Sequence, residues 1–318
     1  MAENEFCTLE AAGVEPGTVP ARWWHEERDG HGGRLAVCDL CPHACRIRAG
    51  ASGRCGVRMN CGGKLMSLVY GRPAAVHVDP IEKKPLYHFL PGSTTFSLGT
   101  VGCNFSCQFC QNYSLSCAKA EPAWATLQPP AGSRPDRIVA AAVQAGCQSV
   151  ALTYNEPTVW AEYGLDIARA AHLQGLKTVS VTNGYIQPGA AEELYTHIDA
   201  ANVDLKGMDD KFYRRLCGGG LEPVLATLKL MKRLGVWLEV TNLIIPGEND
   251  RLEQLRELAA WVCSELGPDT PLHFSAFYPV WKLTTRPVTP RRTLELAGRL
   301  AGEAGLRHVH LGNLHLAT

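Results

Sequence analysis

No stretch of this 318-residue sequence comes near the ~20 consecutive apolar residues that a membrane-spanning helix requires. Net charge is also missing: 31 Lys and Arg are offset by 31 Asp and Glu, and the pI is near 7.1. Without an overall basic footprint, nucleic acid is not indicated as a partner, and neither is an acidic membrane surface. The opening residues, Met1-Ala-Glu-Asn-Glu-Phe6, lack the basic and then apolar segments of a secretory leader. These absences point to a cytoplasmic protein in a reducing compartment. Hydrophobic residues at 46% and charged residues at 19% describe an ordinary globular chain. Cysteine is the exception. Thirteen of them, with no export signal, read as metal ligands rather than disulfides.

The sharpest pattern is Cys103-Asn-Phe-Ser-Cys107-Gln-Phe-Cys110, a C-x3-C-x2-C set with no fourth ligand nearby. A CxxC pair can bind zinc or form a redox couple, but zinc sites close with four ligands, and no second pair follows Cys110 in a zinc-ribbon pattern. Iron–sulfur clusters are held by thiolates, most often four of them. Three leave one iron of a [4Fe-4S] cluster open to the amino and carboxylate groups of S-adenosylmethionine (SAM). An electron from the cluster can then break the C5′–S bond and release a 5′-deoxyadenosyl radical, which side chains alone cannot do. The spacing, with Phe109 just before the last cysteine, resembles the signature of the radical SAM superfamily.

Along the chain, residues 1–90 are rich in Gly, Cys, Arg and turns, with strands expected at 65–70 and 74–78. Residues 91–318 alternate apolar runs with helical patterns. Gly146, Gly175, Gly235 and Gly305 each follow a helical stretch and precede a strand. Strands are expected near 96–98, 149–153, 178–181, 202–205, 237–245 and 272–277, with a short one at 308–311. Asp250 with Glu253 reads as a capping box, and Thr289-Pro290 as the opening of the last helix. Repeated βα units imply a parallel sheet with outer helices. About six units make an incomplete (β/α)6 barrel of the α/β class, with ligands at the carboxyl ends of the strands. That is also the fold implied by the radical SAM resemblance. The cysteine-rich amino-terminal segment is then an accessory to the barrel.

The strand ends are polar: Thr153-Tyr-Asn155-Glu156-Pro157, Thr182-Asn183-Gly184 and Asp204-Leu-Lys206-Gly207. Such residues also build ordinary turns, but their recurrence at successive strand ends favours a binding role. The Thr-Asn-Gly and Asp-Leu-Lys segments resemble those of the pyruvate formate-lyase activating enzymes. That resemblance implies Thr182 and Asn183 near the SAM ribose and Asp204 and Lys206 near the methionine carboxylate. The family's Gly-Gly-Glu segment, which meets the methionine amino group, is replaced here by Asn155-Glu156. An activating-enzyme histidine late in the barrel has no counterpart in Phe277-Tyr278-Pro279, and His273 is a poor stand-in.

Upstream, Cys38-Asp-Leu-Cys41-Pro-His43-Ala-Cys45 and Cys55 form a C-x2-C-x3-C-x9-C set suited to zinc or a second cluster. His43 can replace one cysteine, and Cys61 is a further candidate. A cysteine-rich fold with free thiols is the plainer alternative. Cys7, Cys117, Cys147, Cys217 and Cys263 read as packing or incidental residues. The run 38–45, the segment Gly53-Arg-Cys-Gly-Val-Arg-Met-Asn60 and the segment Asp79-Pro-Ile-Glu-Lys-Lys-Pro-Leu-Tyr-His-Phe89, followed by the cluster motif, resemble the AmmeMemoRadiSam system radical SAM enzymes across nearly the whole chain. Members of that group continue beyond a Gly-Asn like Gly312-Asn313 into a tail with a Cys-x-x-Cys pair, so either that pair's role is absent here or the sequence is incomplete. The resemblance implies AMMECR-like and Memo-like partners and an electron donor such as flavodoxin or ferredoxin, and names no substrate. Within the long motif, Glu82-Lys83-Lys84-Pro85 reads as a solvated turn, and Tyr87 and His88 as packing residues. Two rival readings remain: a glycyl-radical-enzyme activating enzyme, and a zinc-stabilised interaction module without catalysis.

Overall fold

The computed structural model describes residues 18–30, 32–125 and 127–314; Cys7 lies outside them. The amino-terminal part builds two three-stranded antiparallel sheets. One joins β1 (Val19–Pro20), β6 (Lys64–Ser67) and β5 (Arg58–Cys61); the other joins β2 (Trp24–Arg28), β3 (Arg34–Cys38) and β4 (Arg46–Arg48). Strands this short bury little apolar area and need an anchor. Part of it is an ion pair: Arg58 Nη1 lies 2.8 Å from Glu162 Oε1 on the neighbouring domain, with both side chains almost wholly buried.

The main sheet has eight strands in the order β14-β13-β12-β11-β10-β9-β8-β7. They are β7 (Ala75–Pro80), β8 (Thr94–Gly99), β9 (Ser149–Leu152), β10 (Lys177–Thr182), β11 (Ala200–Asp204), β12 (Trp237–Ile244), β13 (Leu272–Ala276) and β14 (Val309–Gly312). Strands β8 to β14 pair in parallel, while β7 is an antiparallel edge on β8. The strand expected at 74–78 is thus the edge of the barrel sheet rather than part of the small sheets.

After a single turn, α1 (Tyr113–Ser116), the crossovers are α2 (Pro135–Gln144), α3 (Ala161–Leu173) and α4 (Pro188–Tyr195). A further turn, α5 (Asp210–Phe212), precedes α6 (Glu222–Arg233), α7 (Leu252–Trp261) and α8 (Arg291–Glu303). Leaving aside the two turns, six helices connect seven parallel strands, the expected (β/α)6 partial barrel. Each helix buries one stripe, as with Val224, Leu228 and Met231 on α6. The four junction glycines all take positive φ, from 67° to 99°, where a β-carbon would be strained.

Two expected helix starts differ. Asp250 Oδ1 accepts from Gly247 N at 2.8 Å, within the preceding turn, and α7 starts after Arg251 with no side-chain cap. Pro290 stands just before α8 rather than in its first turn, and Thr289 instead ties strand ends, donating to Ile244 O and accepting from Phe277 N.

The turn expected at Glu82-Lys83-Lys84-Pro85 is solvated only at Lys83, and Lys84 is buried. The long motif 79–89 enters the foot of the barrel as a plug. Ile81 and Leu86, fully buried, pack against Ala151, Val179 and Ala200 on the inner faces of β9, β10 and β11, where two alanines leave room for them. Lys84, 3% exposed, reaches Asp79 at 2.8 Å, and the Tyr154 hydroxyl donates to the same carboxylate at 2.7 Å. Glu239, wholly buried on β12, accepts from the backbone N–H groups of Tyr87 and His88.

At this foot His88 Nε2 lies 2.8 Å from His310 Nε2, and the rings of His273, His308 and Tyr87 pack around them. Burial, with His273 and His88 adding to it, lowers the His310 pKa from 6.5 to about 4. The folded state therefore favours neutral His310, and stability declines as pH falls from 6.5 towards about 4. Thermal unfolding should show a shallower loss between pH 7 and 5 for His310→Gln than for the native chain. Parallel pH profiles would show that His310 does not carry the effect.

Candidate metal and cofactor site

The three cysteines of 103–110 sit on a loop that leaves β8 at the carboxyl end of the sheet. This loop cannot use regular ladder hydrogen bonds, so side chains hold it. Asn155 Nδ2 donates to Thr100 Oγ1, Val101 O and Gly102 O, while its Oδ1 accepts from Thr100 N and Trp160 Nε1. Ser106 N and Gln108 N donate to Cys217 O and Leu216 O, in the wide turn after α5. Phe105 and Phe109, the large residues between the cysteines, sink into the core against Tyr185 and Phe212. A β-carbon on Gly102 would stand 2.6 Å from Cys55 O, so only glycine permits the amino-terminal segment to press so closely on this loop.

With the aromatics turned inward, Cys103, Cys107 and Cys110 line one wall of a cleft of about 300 Å³. The other walls include all six residues singled out at the strand ends: Asn155, Glu156, Thr182, Asn183, Asp204 and Lys206. Their partners differ. Glu156 accepts from Thr158 N, Thr158 Oγ1, Thr182 Oγ1 and Asn183 N, and so clasps the ends of β9 and β10 together. Burial raises its pKa against those bonds. Asn183 Nδ2 donates to Asn104 Oδ1 at 2.9 Å and lies 3.9 Å from Cys103 Sγ. Lys206 Nζ meets Asp204 Oδ2 at 2.8 Å.

Burial pushes the Cys103 thiol well above its ordinary value. Cys107 is lowered, chiefly by a sulfur hydrogen bond with Cys217 and, against burial, by the Lys206 cation. Cys217 is therefore more than a packing residue. Pro85, Thr241 and Ser275 line the same cleft, and of these Ser275 carries no signal in the sequence. The buried Thr241 hydroxyl has no partner among the described residues.

The amino-terminal cysteines Cys38, Cys41, Cys45 and Cys55 line a second, enclosed cavity together with Arg58 and His43. Burial pushes Cys41 up to about 12 and Cys55 up to about 11. His43 lines the cavity too, but its Nε2 lies 2.7 Å from Asn104 O on the cluster loop, and its ring packs on Tyr185. Cys61 is not in the cavity wall. The described cysteines are all free thiols, and no three His, Cys, Asp or Glu side chains among the described residues are gathered closely enough to hold a single metal ion.

The residues fit an iron–sulfur cluster with SAM. Three thiols face a cleft roomy enough for a nucleoside, with an orphaned hydroxyl and a cation in its walls. Among the described residues no helix is long and apolar enough to cross a membrane. Comparison with known proteins agrees with this chemistry. Residues 97–261 match the Radical SAM superfamily. An uncharacterized protein of Methanocaldococcus jannaschii is 44% identical over 277 residues, 87% of this chain and 81% of that protein. The pyruvate formate-lyase-activating enzyme of Clostridium pasteurianum is 33% identical over 98 residues, 31% of this chain and 41% of the enzyme. In fold, a radical SAM methyltransferase from Sphaerobacter thermophilus aligns with a TM-score of 0.56 at 15% identity, over 93% of this chain and 77% of that one. SuiB of Streptococcus suis bound to S-adenosylmethionine aligns at 0.53 and 19% identity, over 70% of this chain and 52% of that one. The chain belongs to the radical SAM superfamily and is an enzyme of that kind.

Proposed function

We propose that this enzyme cleaves SAM reductively and uses the released radical to abstract hydrogen from a substrate, within the AmmeMemoRadiSam group. One observation carries this reading: three thiols and six strand-end polar residues, drawn from four strands, share a single cleft. Cys103, Cys107 and Cys110 would hold a [4Fe-4S] cluster, which with SAM supplies a 5′-deoxyadenosyl radical when bound. Lys206 is placed to pair with a carboxylate, releasing Asp204 to a ribose or ammonium group, and its charge favours the neighbouring thiolates. Thr182 and Asn183 line the same cleft, Asn183 beside Cys103. Asn155 and Glu156 act at one remove, the first shaping the cluster loop and the second fixing the β10 end.

The amino-terminal tetrad is proposed as a second metal site. A one-electron carrier such as flavodoxin or ferredoxin would supply the electron, in a reducing cytoplasm, and AMMECR-like and Memo-like proteins are the proposed partners. The test is anaerobic reconstitution followed by SAM and reductant. We expect a reducible cluster and 5′-deoxyadenosine; protein that carries only zinc and yields none would instead mark an interaction module. Similarity to an activating enzyme favours a second reading, activation of a glycyl-radical enzyme. That reading predicts a glycine-centred signal on a partner by electron paramagnetic resonance.

A further inference from the structure

The tetrad of Cys38, Cys41, Cys45 and Cys55 supports a narrower conclusion. A zinc ion closed by four thiolates holds every sulfur about 2.3 Å from one shared point. Sulfurs that close leave no gap for a water-sized sphere between them. Here the centre of such a sphere can range over about 10 Å³ within the cavity the four cysteines line. Among the described residues no three ligating side chains converge on a single-ion centre, at this tetrad or at the Cys103 trio. The trio belongs to a family whose cysteines each take a separate iron. A hollow lined by four thiols that do not meet at one point is what thiolates need when each grips its own corner of a cluster. The walls are of the same kind as such a site needs: Leu40, Ile47 and Val159 keep the cavity apolar, and Arg58, paired with Glu162, borders it.

We propose that the tetrad holds a second [4Fe-4S] cluster rather than a zinc ion, a conclusion resting on the reading of this site as a metal site. With four thiolates it has no open corner and so does not bind SAM; it carries electrons and braces the fold. Contacts join it to the other cluster loop, among them Arg54 Nη2 to Ser106 Oγ. His43, two residues after Cys41, meets Asn104 O at 2.7 Å, and Cys55 O presses on Gly102, so both arrive beside Cys103.

Iron and acid-labile sulfide, counted on the anaerobically reconstituted full chain, test this. About eight of each per chain are expected, against about four if the tetrad binds zinc. The variant Cys103→Ala/Cys107→Ala/Cys110→Ala should keep about four irons, with a Mössbauer spectrum that added SAM leaves unchanged. The variant Cys41→Ser/Cys45→Ser should keep about four irons whose spectrum SAM does perturb. A native chain with about four irons and one zinc overturns the cluster and leaves a metal site; about four irons and no other metal overturns the metal site too. Eight irons without SAM cleavage would leave this proposal standing and remove the functional one. Because the native-chain count decides by itself, a variant that fails to fold does not blunt the test.

Discussion

Cys107→Ala is expected to lower 5′-deoxyadenosine formation by at least ~10³-fold, well within the accelerations that enzymes supply. Of the three cluster cysteines, Cys107 has the environment that most favours its thiolate. Its sulfur is hydrogen-bonded by Cys217 and lies near the Lys206 cation, whereas burial raises Cys103 and Cys110. Its removal leaves two thiolates for a cluster that needs three, and no carboxylate or histidine joins Cys103, Cys107 and Cys110 in the cleft wall on the cluster loop. Iron content measured beside turnover separates a lost cluster from a misplaced one. Cys263→Ala, far from the cleft wall, serves as the control and should match the native chain. Undiminished turnover by Cys107→Ala would mean that the trio does not hold the cluster.

Glu162→Gln is the second large effect, and it acts on stability. Glu162 accepts two bonds from Arg58 Nη1, at 2.8 and 3.0 Å, and a third from Arg22 N at 2.8 Å. Burial disfavours the Arg58 cation, and Glu162, with the Cys38 and Cys55 sulfurs, more than offsets that, holding Arg58 charged. Neutralising the carboxylate strands a buried guanidinium, which costs about 3–5 kcal/mol. At about 2–4 °C per kcal/mol for a domain of this size class, the melting temperature should fall by about 10 °C. Arg58→Met/Glu162→Leu should recover most of that loss, because two apolar side chains leave no stranded charge. A change of less than about 2 °C in Glu162→Gln would show that water reaches the pair and screens it.

Much of this arrangement is legible in the sequence because its signals are local. The cluster cysteines lie within eight consecutive residues, so their spacing alone implies a loop that can gather three sulfurs. The barrel strands announce themselves through apolar runs that begin just after glycines of positive φ. The six strand-end residues were legible as a group because a parallel barrel brings successive strand ends to one mouth. What each of them touches was not. Asn155 serves Gly102, 53 residues upstream, and its role as a loop clamp exists only once β8 and β9 lie side by side. His88 is paired with His310 across 222 residues, so reading it as an isolated packing residue was bound to miss its partner. Lys84 reads as solvated because two lysines precede a proline; in the fold both reach Asp79, Lys83 from solvent and Lys84 from a buried position. The capping box failed for a related reason, since the preceding tight turn captures Asp250 first.

The plug also decides from which direction the chemistry can be reached. Ile81 and Leu86 pack into the lower end beside the buried Lys84–Asp79 pair, and Pro85 lines the cleft itself. The cleft is therefore a well with the plug beneath it. The well is also built from two stretches of chain: its bottom is donated by residues that precede the superfamily match at 97. A fragment trimmed to that match would lack the plug, leaving Ala151, Val179 and Ala200 uncovered at the foot of the barrel.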